Sequence, residues 1–261
     1  MSDPFKINGP TCISFSGGRT SAYMLWRVLQ SNGGLPDEAK VCFANTGKEE
    51  EATLRFVDRC SKEWGVPITW VEYRSEAPGF EVVAFETASR NGEPFDALTT
   101  KKKYLPNPVT RFCSEELKSK AITKATGLVP DETMVGVRAD EPIRIPKLRA
   151  RGLLLPLVSA GVRKTDVRSF WKAQAFDLEL EEHGGVTDLG NCDLCFLKGP
   201  NQIRSLIQDK PARAVWWAAQ EEKIGATFRS DRPSYAQIKK FAEQQMDMFS
   251  DEEGIACFCG D

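Results

Sequence analysis

Residues 11–45 constrain the fold most. Two short apolar runs, "TCISFS" and "KVCFAN", end in turn residues. Between them "SAYMLWRVLQSNG" places Tyr23, Trp26 or Arg27, and Gln30 at helical intervals and stops at Asn32-Gly33-Gly34. Short β-branched or aromatic runs of this kind are buried strands of a parallel sheet, and the helical period closed by glycine is that of a helix and its C-cap. The unit then repeats. "EEATLRFVDRCSKEWG" is predicted as a second helix ending at Gly65, "ITWVEY" as a third strand and "ETMVGVR" as a fourth. Such alternation predicts an α/β fold with a doubly wound, mostly parallel sheet. After residue 200 the pattern turns helical ("PARAVWWAAQEEKIG", "SYAQIKKFAEQQMDMF"). An α/β domain over residues 8–200 and a helical C-terminal extension over 201–261 are therefore expected.

The 261 residues, 41% hydrophobic and 28% charged, suffice to bury a core. A net charge of −2 gives no overall attraction to nucleic acid or anionic membrane. No apolar stretch approaches the roughly 20 residues that cross a bilayer, and "MSDPFKINGP" lacks the apolar core of a signal peptide. A cytoplasmic protein without a membrane partner is expected. In a reducing compartment, clustered cysteines point to metal or redox chemistry rather than to disulfides. Cys12, Cys42 and Cys60 lie in apolar segments and read as packing residues, whereas Cys113, Cys192, Cys195, Cys257 and Cys259 lie in loop-like sequence.

The first strand feeds the first helix through "SFSGGRTS". In an open parallel sheet the ligand crevice lies beyond the carboxyl ends of the strands, where Gly17 and Gly18 fall. Glycines allow close backbone approach, the helix N-terminus offers free N–H groups, and Ser14, Ser16, Thr20 and Ser21 add hydroxyls. This combination suits a phosphate. It is neither a Walker loop nor G-x-G-x-x-G, and the same residues also suit an ordinary turn and cap.

The motif S-x-S-G-G-R-T-S resembles the pyrophosphate loop of the adenine nucleotide α-hydrolase-like superfamily, within which the phosphoadenosine phosphosulfate (PAPS) reductase family is the nearest likeness. Further segments match in order across roughly residues 12–200. "FANTGKEEEATLRFV" is similar to the family's second-strand motif, and "RFCSEELKSKAI" to the cysteine–lysine segment of its iron–sulfur adenylylsulfate (APS) reductase branch. "VGVRADEPIR" is similar to its arginine segment, "LLLPLVSAGVRKTDVRSFW" to its Pro-Leu…Asp-Val stretch, and "GNCDLC" to its late C-x-x-C. The resemblance implies binding of an adenine nucleotide (APS, PAPS or ATP), with magnesium as a further candidate. The nucleotide would be held by Ser14, Ser16, Gly17, Gly18, Arg19, Thr20, Ser21, Asn45, Thr46, Gly47, Arg111, Arg138 and Arg144. Guanidinium forks match phosphate or sulfate bidentately, which suits the arginines to an anion clamp.

The departures matter as much. Arg19 and Thr20 stand where the family's loops carry Lys and an acidic residue, so binding is a safer expectation than ATP cleavage. Cys113-Ser114 stands where the cluster-bearing members carry a tandem Cys-Cys. The resemblance implies a 4Fe–4S cluster on Cys113, Cys192, Cys195 and Cys257, with Cys259 as a mobile nucleophile or itself the fourth ligand. One C-x-x-C with two outlying cysteines also suits a structural zinc, the alternative to the cluster. The sole histidine, His183, reads as a solvated helix-end residue.

Three functions follow. In the first, sulfonucleotide reduction, Cys259 attacks sulfur, Lys118 assists and an external thiol donates electrons. In the second, an adenylating sulfur-transfer enzyme acts on tRNA or DNA, its backbone tracked by Lys101, Lys102, Lys103, Tyr104, Arg111, Arg144, Lys147, Arg149, Arg151, Arg163 and Lys164; ordinary solvated charge is the competing reading. In the third, a nucleotide sensor or partner-binding subunit exposes Trp216-Trp217, against the competing reading that aromatic residues at helical spacing are core. A homo-oligomer is compatible with all three.

Overall fold

The computed structural model describes residues 3–181, 189–190 and 192–250, with side chains to residue 244. In chain order the elements are β1 (Thr11–Ser14), α1 (Arg19–Asn32), β2 (Ala39–Asn45), α2 (Glu51–Trp64), β3 (Ile68–Tyr73), β4 (Phe80–Val83) and α3 (Glu93–Lys102). A helical stretch follows, built of α4 (Phe112–Ser114), a π-helical segment (Glu115–Lys120) and α5 (Ala121–Thr126), then β5 (Thr133–Val135). The helices α6 (Ile145–Ala150), α7 (Pro156–Ser159), α8 (Lys164–Lys172), α9 (Pro200–Asp209), α10 (Arg213–Ile224) and α11 (Tyr235–Ser250) complete the described chain.

The strands form one five-stranded sheet in the order β4-β3-β2-β1-β5. β1, β2, β3 and β5 are parallel, and β4 pairs antiparallel to β3 at the edge. The protein is thus α/β with a mostly parallel sheet. The chain steps outward from β1 to β3 and returns to the other side of β1 as β5. A reversal of this kind opens a crevice at the carboxyl ends of β1 and β5.

Alternation along the strands divides the core. Ile13, Val41, Phe43 and Trp70 face the larger cluster with Met24, Leu25, Leu54 and Val57 of α1 and α2. Cys12, Cys42 and Ala44 face the other side, against Ile122 of α5. Cys12, Cys42 and Cys60 are fully buried packing residues. α1 and α2 end at Gly33 and Gly65, both left-handed, where the sequence places their C-caps.

The C-terminal helices share the larger core: Ile203, Leu206, Ala214, Trp217, Phe228 and Tyr235 lie in one cluster with Phe95 and Phe196. Trp217 is fully buried and Trp216 half-buried, so this pair is not the exposed patch that its sequence allowed. Trp217 donates Nε1–H to Asp193 at 2.8 Å, and Trp216 lies beneath the Lys48 ammonium, 5.1 Å from its ring centre. Among the described residues no helix is long and apolar enough to cross a membrane.

Candidate functional site

The crevice is built first by two glycines. Gly17 follows β1 with φ +75°, and a Cβ there would stand 2.6 Å from Thr53 Cγ2 and 3.1 Å from Phe43 Cε2. Only glycine lets the loop turn this close to α2. Across the crevice, a Cβ at Gly136 would stand 2.8 Å from Ser21 Cα, so the chain leaving β5 rests on the first turn of α1. Gly18 caps α1 without a side chain, which leaves the first-turn amides to an outside acceptor.

The hydroxyls do less than their sequence suggests. Ser21 Oγ donates to Gly18 O at 2.9 Å and accepts Ser16 N–H at 3.1 Å, and Ser16 Oγ stands 2.9 Å from it. These two serines brace the loop, while Ser14 closes β1. Thr20 accepts from Arg138 Nη1 at 3.1 Å, tying the arginine segment to the loop. Arg19 turns aside: it donates Nε–H and Nη2–H to the Asp177 carboxylate at 2.7 and 2.8 Å and to Leu178 O at 3.1 Å. Arg19, Thr20 and Arg138 line a cavity of about 240 Å³ with Lys164, Arg168 and Lys172 of α8.

Beside it lies a second cavity of about 370 Å³, and here the expected residues from distant segments meet. Thr46, Arg111, Cys113, Lys118, Arg144, Cys192 and Cys195 all line it, with Phe95, Phe196 and Trp217 as apolar walls. Glu141 links the two cavities, accepting from Arg144 at 2.5 Å and lying 3.4 Å from Arg138. The loop bearing Cys192 is stitched to the turn after β2 by a backbone bridge between Glu49 and Cys192 and by Asp193 N–H donating to Lys48 O at 2.7 Å.

Asn45 and Gly47 act as struts. The buried Asn45 amide donates to Glu72 at 2.7 Å and to Ser89 O at 2.8 Å, and its oxygen accepts Gly47 N–H at 3.0 Å. Thr46 stands closer to the chemistry, its Oγ1 3.5 Å from Cys192 Sγ.

Glu49 has no counterpart among the sequence candidates. Its side chain is 3% exposed; Oε2 accepts Thr46 N–H and Oγ1–H, each at 2.9 Å, and Oε1 accepts Lys118 Nζ at 3.3 Å. In the sequence it is one acid in the run Glu49-Glu50-Glu51, which reads as charge at a helix start. Only its distant partner, Lys118, reveals it. Burial works against charge on Lys118, but the Glu49 carboxylate and the Cys192 and Cys195 sulfurs override it, holding the ammonium above the ordinary lysine range.

Burial pushes the thiols of Cys113, Cys192 and Cys195 upward, each opposed in part by Lys118. Among the described residues no group of three or more His, Cys, Asp or Glu side chains is arranged to hold a metal ion. Cys257, Cys259 and His183 lie outside the described residues. Cys113, Cys192 and Cys195 share one cavity, and the remaining ligand expected of a cluster or a zinc site, Cys257 or Cys259, lies outside the described residues.

Fold and site together define an α/β protein with a mostly parallel sheet and a glycine loop beside a cavity of thiols and cations. The chain belongs to the family of the uncharacterized nin region protein ORF290 of Escherichia phage lambda. It is 34% identical to that protein over 211 residues, spanning 76% of this chain and 69% of the phage protein. No protein-family model matches the chain.

Proposed function

We propose that this chain is an adenine-nucleotide-binding enzyme that reduces sulfonucleotides, as its resemblance to the PAPS reductase family implies. One observation carries the reading: a single cavity is lined by three thiols and three cations, Arg111, Lys118 and Arg144, beside the glycine loop. Cations there match an anionic sulfonate, and the uncapped first turn of α1 with Arg138 matches a nucleotide phosphate.

In the proposed reaction a cysteine thiolate, assigned to Cys259, attacks the sulfonate sulfur. A sulfur–sulfur bond forms and the sulfur–oxygen bond to the nucleotide phosphate breaks, releasing AMP from APS or adenosine 3′,5′-bisphosphate from PAPS. A first external thiolate then attacks the cysteine sulfur, releasing sulfite and leaving a mixed disulfide, which a second thiol cleaves. Two thiols are oxidised to one disulfide as the sulfonate sulfur takes up two electrons. Lys118, oriented by Glu49, offsets charge on the sulfonate and the departing phosphate.

The test is sulfite release from APS and PAPS under anaerobic, thiol-reducing conditions. Cys259→Ser should abolish release and retain nucleotide binding. Full activity in that variant overturns the assignment of the nucleophile, and absence of nucleotide binding in the wild type overturns the reading.

A further inference from the structure

The chain's net charge of −2 hides a polarised surface. Residues 138–172 carry nine Lys or Arg against three Asp or Glu. Arg138 and Arg144 are ion-paired to Asp140 and Glu141. Lys147, Arg149, Arg151, Arg163, Lys164, Arg168 and Lys172 have no carboxylate within ion-pairing distance among the described residues, and all are exposed. Elsewhere, surface cations such as Lys62, Arg90, Lys120 and Lys223 lie against acids.

The arrangement on α8 is ordered. Val167 and Trp171 are buried, while Lys164, Arg168 and Lys172 recur every fourth residue on the outward side. Four residues of helix advance about 6 Å, so the three cations form a row about 12 Å long. The row borders the cavity that also holds Arg19 and Arg138. Among the described residues, the sole acid lining that cavity, Asp177, is already bound by Arg19.

We propose that this face of α8 and the cavity beside it dock a nucleic-acid strand through its phosphates. The shared chemistry is phosphate oxyanion on cation, and the length of the row chooses the source. Phosphates of a mononucleotide or pyrophosphate sit together and reach one end of it. Successive phosphates of an extended strand repeat at a spacing comparable to the cations. The row is also open to solvent and, among the described residues, paired with no carboxylate, as suits a surface that exchanges counterions for a polyanion. The cavity shares Arg19, Thr20 and Arg138 with the nucleotide reading, but the three α8 cations lie outside the glycine loop and can be removed without touching it.

The experiment is fluorescence anisotropy of labelled single-stranded DNA and RNA, about 20 nucleotides long, across 50–200 mM salt. The wild type is compared with Lys164→Gln/Arg168→Gln/Lys172→Gln and with Lys62→Gln, a control on α2. Loss of three phosphate contacts should flatten the log–log salt slope by about 2, so the salt-induced loss of affinity over this range shrinks about 20-fold. The control should behave as wild type. Equal affinity of triple variant and wild type, or no binding at 50 mM salt, overturns the proposal. So does binding of pyrophosphate, lost in the triple variant, with no binding of either oligonucleotide. A parallel AMP titration of the same samples reports on the glycine loop, so failure of one reading is distinguishable from failure of the other.

Discussion

Gly17→Ala tests the geometry of the glycine loop. At φ +75° an L-residue costs about 1–2 kcal/mol of backbone strain. The new methyl would also meet Thr53 Cγ2 at 2.6 Å, Phe43 Cε2 at 3.1 Å and Val57 Cγ2 at 3.3 Å. Overpacking in a close-packed region costs about 1–3 kcal/mol, so the total is about 2–5 kcal/mol. The two parts separate by a cycle. Thr53→Ser removes only the methyl that clashes most closely, at a cost of about 1 kcal/mol alone. In the double variant it should return about 1–2 kcal/mol of the loss, leaving the backbone strain. Urea unfolding followed by tryptophan fluorescence measures both. AMP affinity should fall in parallel, because any shift that relieves the clash moves the amides of the α1 first turn. A Gly17→Ala variant within 0.5 kcal/mol of wild type, below the ~1 kcal/mol floor of the strain alone, would refute the reasoning.

Three further outcomes follow. Glu49→Gln removes the charge that accepts from Thr46 and Lys118, and should cost about 2–4 kcal/mol in chemical denaturation and lower sulfite release through kcat more than KM. Trp217→Ala empties a fully buried site between Phe95, Phe228 and Tyr235 and should cost about 3–5 kcal/mol, whereas a solvent-exposed patch would lose little. Burial raises the folded-state thiol of Cys60, so below about pH 9 both states hold its proton and the stability is intact. Above that pH the unfolded state ionises first, and stability should fall by about 1.4 kcal/mol per pH unit for this thiol. Cys60→Ala should flatten the decline in denaturation midpoint from pH 9 upward; an unchanged slope would contradict this.

What the sequence made legible was local. The apolar runs of β1, β2 and β3 are buried along most of their length, and Gly33 and Gly65 mark helix ends by a conformation glycine alone adopts easily. β4 escaped because Phe80–Val83 is a four-residue edge strand with no buried residue, and its run Phe-Glu-Val-Val is too short to show a strand period. Within the site, Arg19 followed by Thr20 read as a pair aimed at a ligand. The partner that turns Arg19 aside is Asp177, 158 positions away, which no spacing rule connects. Glu49 was hidden for the same reason, its partner Lys118 lying 69 positions away. Asn45 and Gly47 illustrate the converse: a motif that reads as ligand contact serves to fix the turn that carries Thr46. On α8 the four-residue spacing was present in "RKTDVRSFWK", but only burial of Val167 and Trp171 shows which side faces water.

The proposed function requires that the glycine loop hold an adenine nucleotide next to the thiol cavity. Calorimetric titration of APS into reduced protein kept free of oxygen tests it most directly. Saturable binding at one site per chain is expected, abolished or strongly weakened by Gly17→Ala and weakened by Arg138→Gln. No saturable heat up to millimolar nucleotide, or binding that both substitutions leave untouched, would contradict it.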